Sequence, residues 1–167
     1  DDMAWLTQNS PLPTIADDAG LCVDAFGGLP GVDTAHYCTQ FGYDKSDDNN
    51  VRALLEQMQH QDNRRAALVS TLVAVRSPQD PEPLIAVGRV VGDITRERRG
   101  SNGFGFDPVM FVPELGKTFA ELPTVVKNAY SHRGRSSRHM LELLREHWGL
   151  RTPLRRCAPS PRGDTAS

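Results

Sequence analysis

Four short stretches of this 167-residue chain carry side chains whose types and spacing suit chemistry: "ADDAGL" (residues 16–21), "GGLPGV" (27–32), "NGFGFDP" (102–108) and "KNAYSHRGR" (127–135). Asp17 and Asp18 sit inside a run of apolar residues that reads as a strand, where successive side chains face opposite sides. One of the two is therefore expected to be buried or to face a cleft. A carboxylate in such a place needs a partner. Mg2+ is one, since it commonly takes one or two carboxylates together with substrate phosphates; an arginine is the other. The pattern alone leaves both open.

Lys127, His132, Arg133 and Arg135 form a basic cluster. Such a cluster is ordinarily a solvated face, but Ser131, His132 and Arg133 can also offer several donors to a carbonyl or phosphate. The stretch 102–108 supplies a complement. Gly103 and Gly105 let the backbone approach a flat ligand, Phe104 can stack on a base, and Asp107 can accept from a ring N–H. The plainer alternative is a glycine-rich hairpin with core phenylalanines. Acids for a metal, basic donors and an aromatic slot together fit a nucleotide with its phosphates.

These residues need elements to position them. "PTIADDAGLCVDAF" reads as a strand or hairpin ending in the turn "GGLPG". "SDDNNVRALLEQMQ" reads as a helix with its N-cap at Ser46 or Asp47 and Val51, Leu54, Leu55 and Met58 on one face. "AALVSTLVAV" and "PLIAVGRVVGDIT" are rich in β-branched residues and flank the turn-like "SPQDPEP", which predicts two paired strands. A further strand is predicted at "DPVMFVP". From Arg135 the spacing of Met140, Leu141, Leu144 and Trp148 predicts a helix ending at Gly149. Strand, helix, strands, helix is an α/β order.

Length suits one domain, taken as residues 1–150, followed by a tail at 151–167 whose four arginines, three prolines and few apolar residues predict disorder. With 19 Lys and Arg against 21 Asp and Glu, the formal net charge is −2, so no global field draws the chain to nucleic acid or to a membrane. An anionic ligand must be held locally, and only three lysines exist to do it: Lys45, Lys117 and Lys127. The three cysteines show no Cys-x-x-Cys pair or zinc spacing, and the N-terminus lacks the pattern of a signal peptide. A soluble, reduced, cytoplasmic setting is the expectation.

"ADDAGL", "GGLPGV", "GFGFDP" and "SHRGR", in this order and at these separations, resemble the inosine triphosphate pyrophosphatase family, also called XTP/dITP diphosphatases, from about Pro11 to Leu150. The resemblance implies hydrolysis of nonstandard purine nucleoside triphosphates (ITP, dITP, XTP) to monophosphate and pyrophosphate with Mg2+ as cofactor. It also implies a homodimer and an α/β fold with a mixed, elongated and twisted central sheet, flanking helices and two lobes around a cleft. Carried over residue by residue, Asp18 matches the catalytic acid and metal ligand. Ala19 stands beside it at a substrate-contacting position. Phe104, Gly105, Phe106 and Asp107 match the base-binding segment, Lys127 a substrate-contacting lysine, and His132 with Arg133 the pair at the base.

Two departures stand out. Ala19 replaces a serine common in the family and has no hydroxyl to give. No Thr/Ser-x-Asn-x-x-Lys phosphate loop precedes "ADDAGL", so the domain reads as N-terminally truncated. The expectations are reduced activity for this chain alone and an open strand edge at "PTIADDAGL". The alternative function is an inactive relative that binds purine nucleotides or needs a complementing chain.

Overall fold

The computed structural model describes residues 13–150. Five strands form one sheet in simple order: β1 (Thr14–Val23), β2 (Arg65–Val75), β3 (Leu84–Ile94), β4 (Met110–Val112) and β5 (Lys117–Thr118). Three α-helices accompany them: α1 (Asp47–Gln57), α2 (Thr124–Tyr130) and α3 (His132–Trp148). The α/β class stands. Among the described residues every strand pair is antiparallel, whereas the resemblance implied a mixed sheet. The physical reason is that β2 to β5 run as a meander, each strand turning back on its predecessor, with no helical crossover to bring a parallel neighbour alongside.

β2 and β3 form where β-branched residues were dense, and their turn is fastened by Asp80, whose carboxylate accepts from the backbone N–H groups of Arg76 (2.7 Å) and Glu82 (3.0 Å). The predicted strand at 107–113 is shorter than expected. Asp107–Val109 makes a 3-10 turn, and only Met110–Val112 is extended. Pro108 explains this, since it gives no N–H to a ladder and suits the first turn of a helix.

Two rows of apolar side chains fill one face of the sheet. The larger cluster joins Leu21, Val23, Leu54, Met58, Met110 and Phe119; the smaller joins Ala74, Leu84, Ala86, Met140 and Leu144. Between them runs a narrow polar seam. The Ser70 and Ser136 hydroxyls meet at 2.8 Å, fully buried, and Gly88, paired with Ser70, lets the first turn of α3 lie directly on the sheet. A Cβ at Gly88 would stand 2.0 Å from the His132 carbonyl oxygen. That approach fixes where the N-terminus of α3 lies.

β1 is the edge strand among the described residues. Val23 gives both its N–H and its C=O to the turn on the outer side, so parity directs the same groups of Ile15, Asp17 and Ala19 to that open edge. The opposite sheet face is exposed in its middle, where Asp18 pairs with Thr71 and Thr71 with Val87, itself half-exposed. Among the described residues, no helix is long and apolar enough to cross a membrane. The tail at 151–167 lies outside the described residues.

Candidate functional site

A cavity of about 240 Å³ opens where three segments meet: the middle of β1 (Ala19, Gly20), the loop 104–107, and the corner between α2 and α3 (Lys127, Asn128 and residues 131–133). It gathers eight of the nine residues singled out from the sequence: Ala19, Phe104, Gly105, Phe106, Asp107, Lys127, His132 and Arg133. Asp18 does not line it.

The loop is built around Asp107. Its carboxyl, 4% exposed as a residue, accepts from the Phe104 N–H at 3.0 Å and from the Lys127 ammonium at 2.5 Å. Gly103 is required here. Its φ is +76°, and a Cβ there would lie 2.0 Å from the Asp107 oxygen. The two phenylalanines divide the alternatives left open by the sequence: Phe106 is core, 5% exposed, while Phe104 is 59% exposed and turned outward. The Lys127 nitrogen lies 4.5 Å from the Phe104 ring centre and the Arg133 guanidinium 5.5 Å away. Two cations thus border one aromatic face system at cation–π distance. Asp107, expected to be free for a ring N–H, spends one oxygen on holding the loop and the lysine together.

The corner between α2 and α3 is equally close-packed. Gly134, inside "SHRGR", stands where a Cβ would come 1.9 Å from the Asn128 carbonyl oxygen. Ser131 caps α3, its hydroxyl accepting from the Gly134 N–H at 3.0 Å. The sequence placed one helix start at Arg135. The chain instead makes two, beginning at Thr124 and His132, with Ser131 extended between them. This puts His132 at the positive end of a 17-residue helix.

His132 is buried, and its Nδ1 has no hydrogen-bond partner. Burial, reinforced by the positive charges of Arg133 and Lys127, pushes its pKa down to about 4. The ring is therefore neutral at neutral pH, with one nitrogen a donor and the other an acceptor. A buried polar atom without a partner is uncommon enough to need a reason.

The acids of β1 correct an expectation. Both Asp17 and Asp18 are exposed. Asp17 faces α3 and stands 3.7 Å from Arg133, realising the arginine-paired alternative in weak form. By strand alternation Asp18 faces the other side, and its carboxylate has no ion-pair or hydrogen-bond partner among the described residues. No group of three or more His, Cys, Asp or Glu side chains converges as a metal cage among those residues.

The sequence did not point to Thr34, Asp47, Asn50 or Asn128, which also line the cavity. Thr34, in the 3-10 stretch Gly31–Phe41, accepts the outward N–H of Leu21 at 2.9 Å and bonds the Gly31 carbonyl. Asn50 is buried, accepting from the Cys38 N–H (2.9 Å) and donating to the Ala35 carbonyl (3.1 Å). The one signal for Asn50 was a polar side chain on the apolar face of a predicted helix.

Comparison with known proteins identifies the family and the fold. The family model described as the Ham1 family matches residues 3–143. A dITP/XTP pyrophosphatase of Acidovorax sp. (strain JS42) is 79% identical over 144 residues, covering 86% of this chain and 70% of its own. One from Delftia acidovorans is 72% identical over 144 residues, covering 86% and 72%. Among solved structures, a HAM1 protein from Coxiella burnetii superposes with a TM-score of 0.77 at 37% identity over 82% of this chain and 69% of that one. The Staphylococcus aureus Ham1 protein gives 0.77 at 34% identity over 84% and 70%.

Proposed function

The chain belongs to the Ham1 family, and from that premise we propose that it hydrolyses nonstandard purine nucleoside triphosphates, ITP, dITP and XTP, to the monophosphate and pyrophosphate. The relatives named dITP/XTP pyrophosphatases support the reaction class. The observation that carries the substrate class is the cavity itself, which is lined by an exposed aromatic ring flanked by two cations and by a buried neutral histidine with an unpartnered nitrogen.

In this reading Phe104 stacks on the purine, and the Nδ1 of His132, in its protonated tautomer, donates with Arg133 to the 6-oxo group of hypoxanthine or xanthine. Adenine presents a donor amine at the same place. Donor would then meet donor, costing roughly 1 to 3 kcal/mol for each buried group left unpaired. Lys127, held by Asp107, adds positive charge beside the ring and towards the phosphates.

The donor chemistry at β1 fits a hard divalent cation. Asp18 offers unengaged carboxylate oxygens at an open edge, and Mg2+ needs only one or two such ligands when phosphates supply others. We assign Asp18 as the residue that holds Mg2+ and orients the attacking water. When bound, the ion supplies neutralisation of polyphosphate charge.

The test is pyrophosphate release from ITP, dITP, XTP, ATP and GTP with Mg2+, for the wild type and Asp18→Asn. Release from the first three is expected to exceed that from ATP by at least ~10-fold, and to fall by ~100-fold or more in the variant, the scale of losing a group used in the transition state. Equal turnover of ATP and ITP would overturn the substrate assignment. A second reading, binding without turnover, is favoured by the position of Asp18 outside the cavity wall; it predicts IMP binding, weakened by Phe104→Ala, with no pyrophosphate released. Neither release nor binding would dispose of both.

A further inference from the structure

Phe104 stands between two glycines that are held very differently. Gly103 (φ +76°) is packed against Asp107, so its position is set by contact. Gly105 (φ +60°) has open space where a side chain would be, with no atom within 4 Å of an added Cβ. Packing therefore does not fix the backbone on that side of the ring. A hydrogen bond does: the Gly105 N–H donates to Asp47 Oδ2 at 2.9 Å, across 58 residues of sequence. Asp47 is the first residue of α1 and lines the cavity.

The next residue adds a second strut to the same segment. Arg98 pairs with the Asp48 carboxylate, and its other terminal nitrogen donates to the Asp48 carbonyl at 2.9 Å. The turn of α1 that holds these bonds is itself anchored. Buried Asn50 ties it to the stretch Gly31–Phe41, and Thr34 ties that stretch to the Leu21 N–H of β1. Hydrogen bonds joined by short backbone segments thus connect the β1 wall of the cavity to the Phe104 wall through α1. Asp47 is the last link.

We infer that Asp47 is a positioning residue, setting the distance of the Phe104 ring from the opposite wall by accepting the Gly105 N–H, and so governing the affinity of the slot for a purine ring. This rests on the reading of the cavity as a purine site. Asp47 touches no reacting atom in it; its effect passes through the loop.

The experiment compares wild type, Asp47→Ala and Asp47→Asn by three measurements: Gly105 amide hydrogen exchange without ligand, IMP affinity, and kcat and KM for ITP with Mg2+. Asp47→Ala is expected to speed Gly105 exchange and raise both the IMP Kd and the ITP KM by about tenfold, leaving kcat within about twofold, as loss of binding common to ground and transition states does. Asp47→Asn keeps an acceptor oxygen in the same place and is expected to restore most of each effect. Unchanged exchange in Asp47→Ala, a fall in kcat at constant KM, or an Asn variant as impaired as the alanine would each overturn the inference. Where the wild type shows neither IMP binding nor turnover, the purine reading fails, and Gly105 exchange alone decides whether Asp47 holds the loop.

Discussion

The two sides of the cavity are finished to different degrees. On the side of residues 98–135, the polar groups other than the His132 Nδ1 are held in place: Asp107 by Lys127 and the Phe104 N–H, Gly105 by Asp47, Asn102 by the Ala120 and Leu122 carbonyls, and α3 by its seat at Gly88. On the β1 side, Asp17 and Asp18 are exposed, one loosely near an arginine and the other unengaged. On the function proposed above, the contrast assigns specificity to the built wall and reactivity to the open edge. A slot that must discriminate bases needs a preorganised wall, while carboxylates meant for a hydrated cation and a polyphosphate must stay accessible.

The sharpest way to break this comparison is to remove one member of the interior pair. Asp107→Ala strands the Lys127 ammonium, 13% exposed, and the Phe104 N–H. A loss of about 3 kcal/mol or more is expected, the scale for a buried pair deprived of one partner, measured as a shift in the urea midpoint. A loss below about 1 kcal/mol would make the wall no more rigid than the edge.

A smaller effect comes from pH. The folded pKa of His132, about 4, lies below its ordinary 6.5, so the proton binds the unfolded chain more tightly. The stability contributed by the neutral buried ring is thus fully present above pH 6.5 and is lost as pH falls towards 4. Urea unfolding at pH 7.5 and 4.5 is expected to show about 2 kcal/mol of difference from this residue, removed in His132→Gln. An unaltered pH dependence in that variant would place the ring in contact with water.

The smallest change sharpens the comparison from the other side. Asp17→Asn removes an exposed contact of 3.7 Å and is expected to cost no more than about 0.5 kcal/mol in the same assay. A cost approaching that of Asp107→Ala would mean that β1 is as tightly built as the loop.

Much of the fold was legible because the physics was local. Ser46 caps α1, its hydroxyl accepting the Asn49 N–H at 3.0 Å, and the apolar face of that helix enters the core as its spacing predicts. β2 and β3 fall within a residue or two of their sequence bounds. Gly149 ends α3 with φ of +64°, as the C-cap reading required. The helix α2 was not legible: none of its seven residues is buried and Val125 is 82% exposed, so it leaves no apolar period to detect. The stretch Gly31–Phe41 buries only Tyr37 and Cys38 and gave no better signal.

Amino-acid order alone thus determined β2, β3, α1 and most of α3, the glycine turn and cap positions at Gly103 and Gly149, and the set of side chains proposed to meet a nucleotide. Their patterns are periods and neighbours, which the sequence states directly. Only the tertiary structure decided that Phe104 faces out while Phe106 is core, that Asp107 is committed to Lys127, and that Asp18 stands off the cavity wall. It also brought Asp47 to Gly105. These outcomes depend on which backbones approach one another across 20 to 58 residues, and such distances are set by packing that no local pattern records.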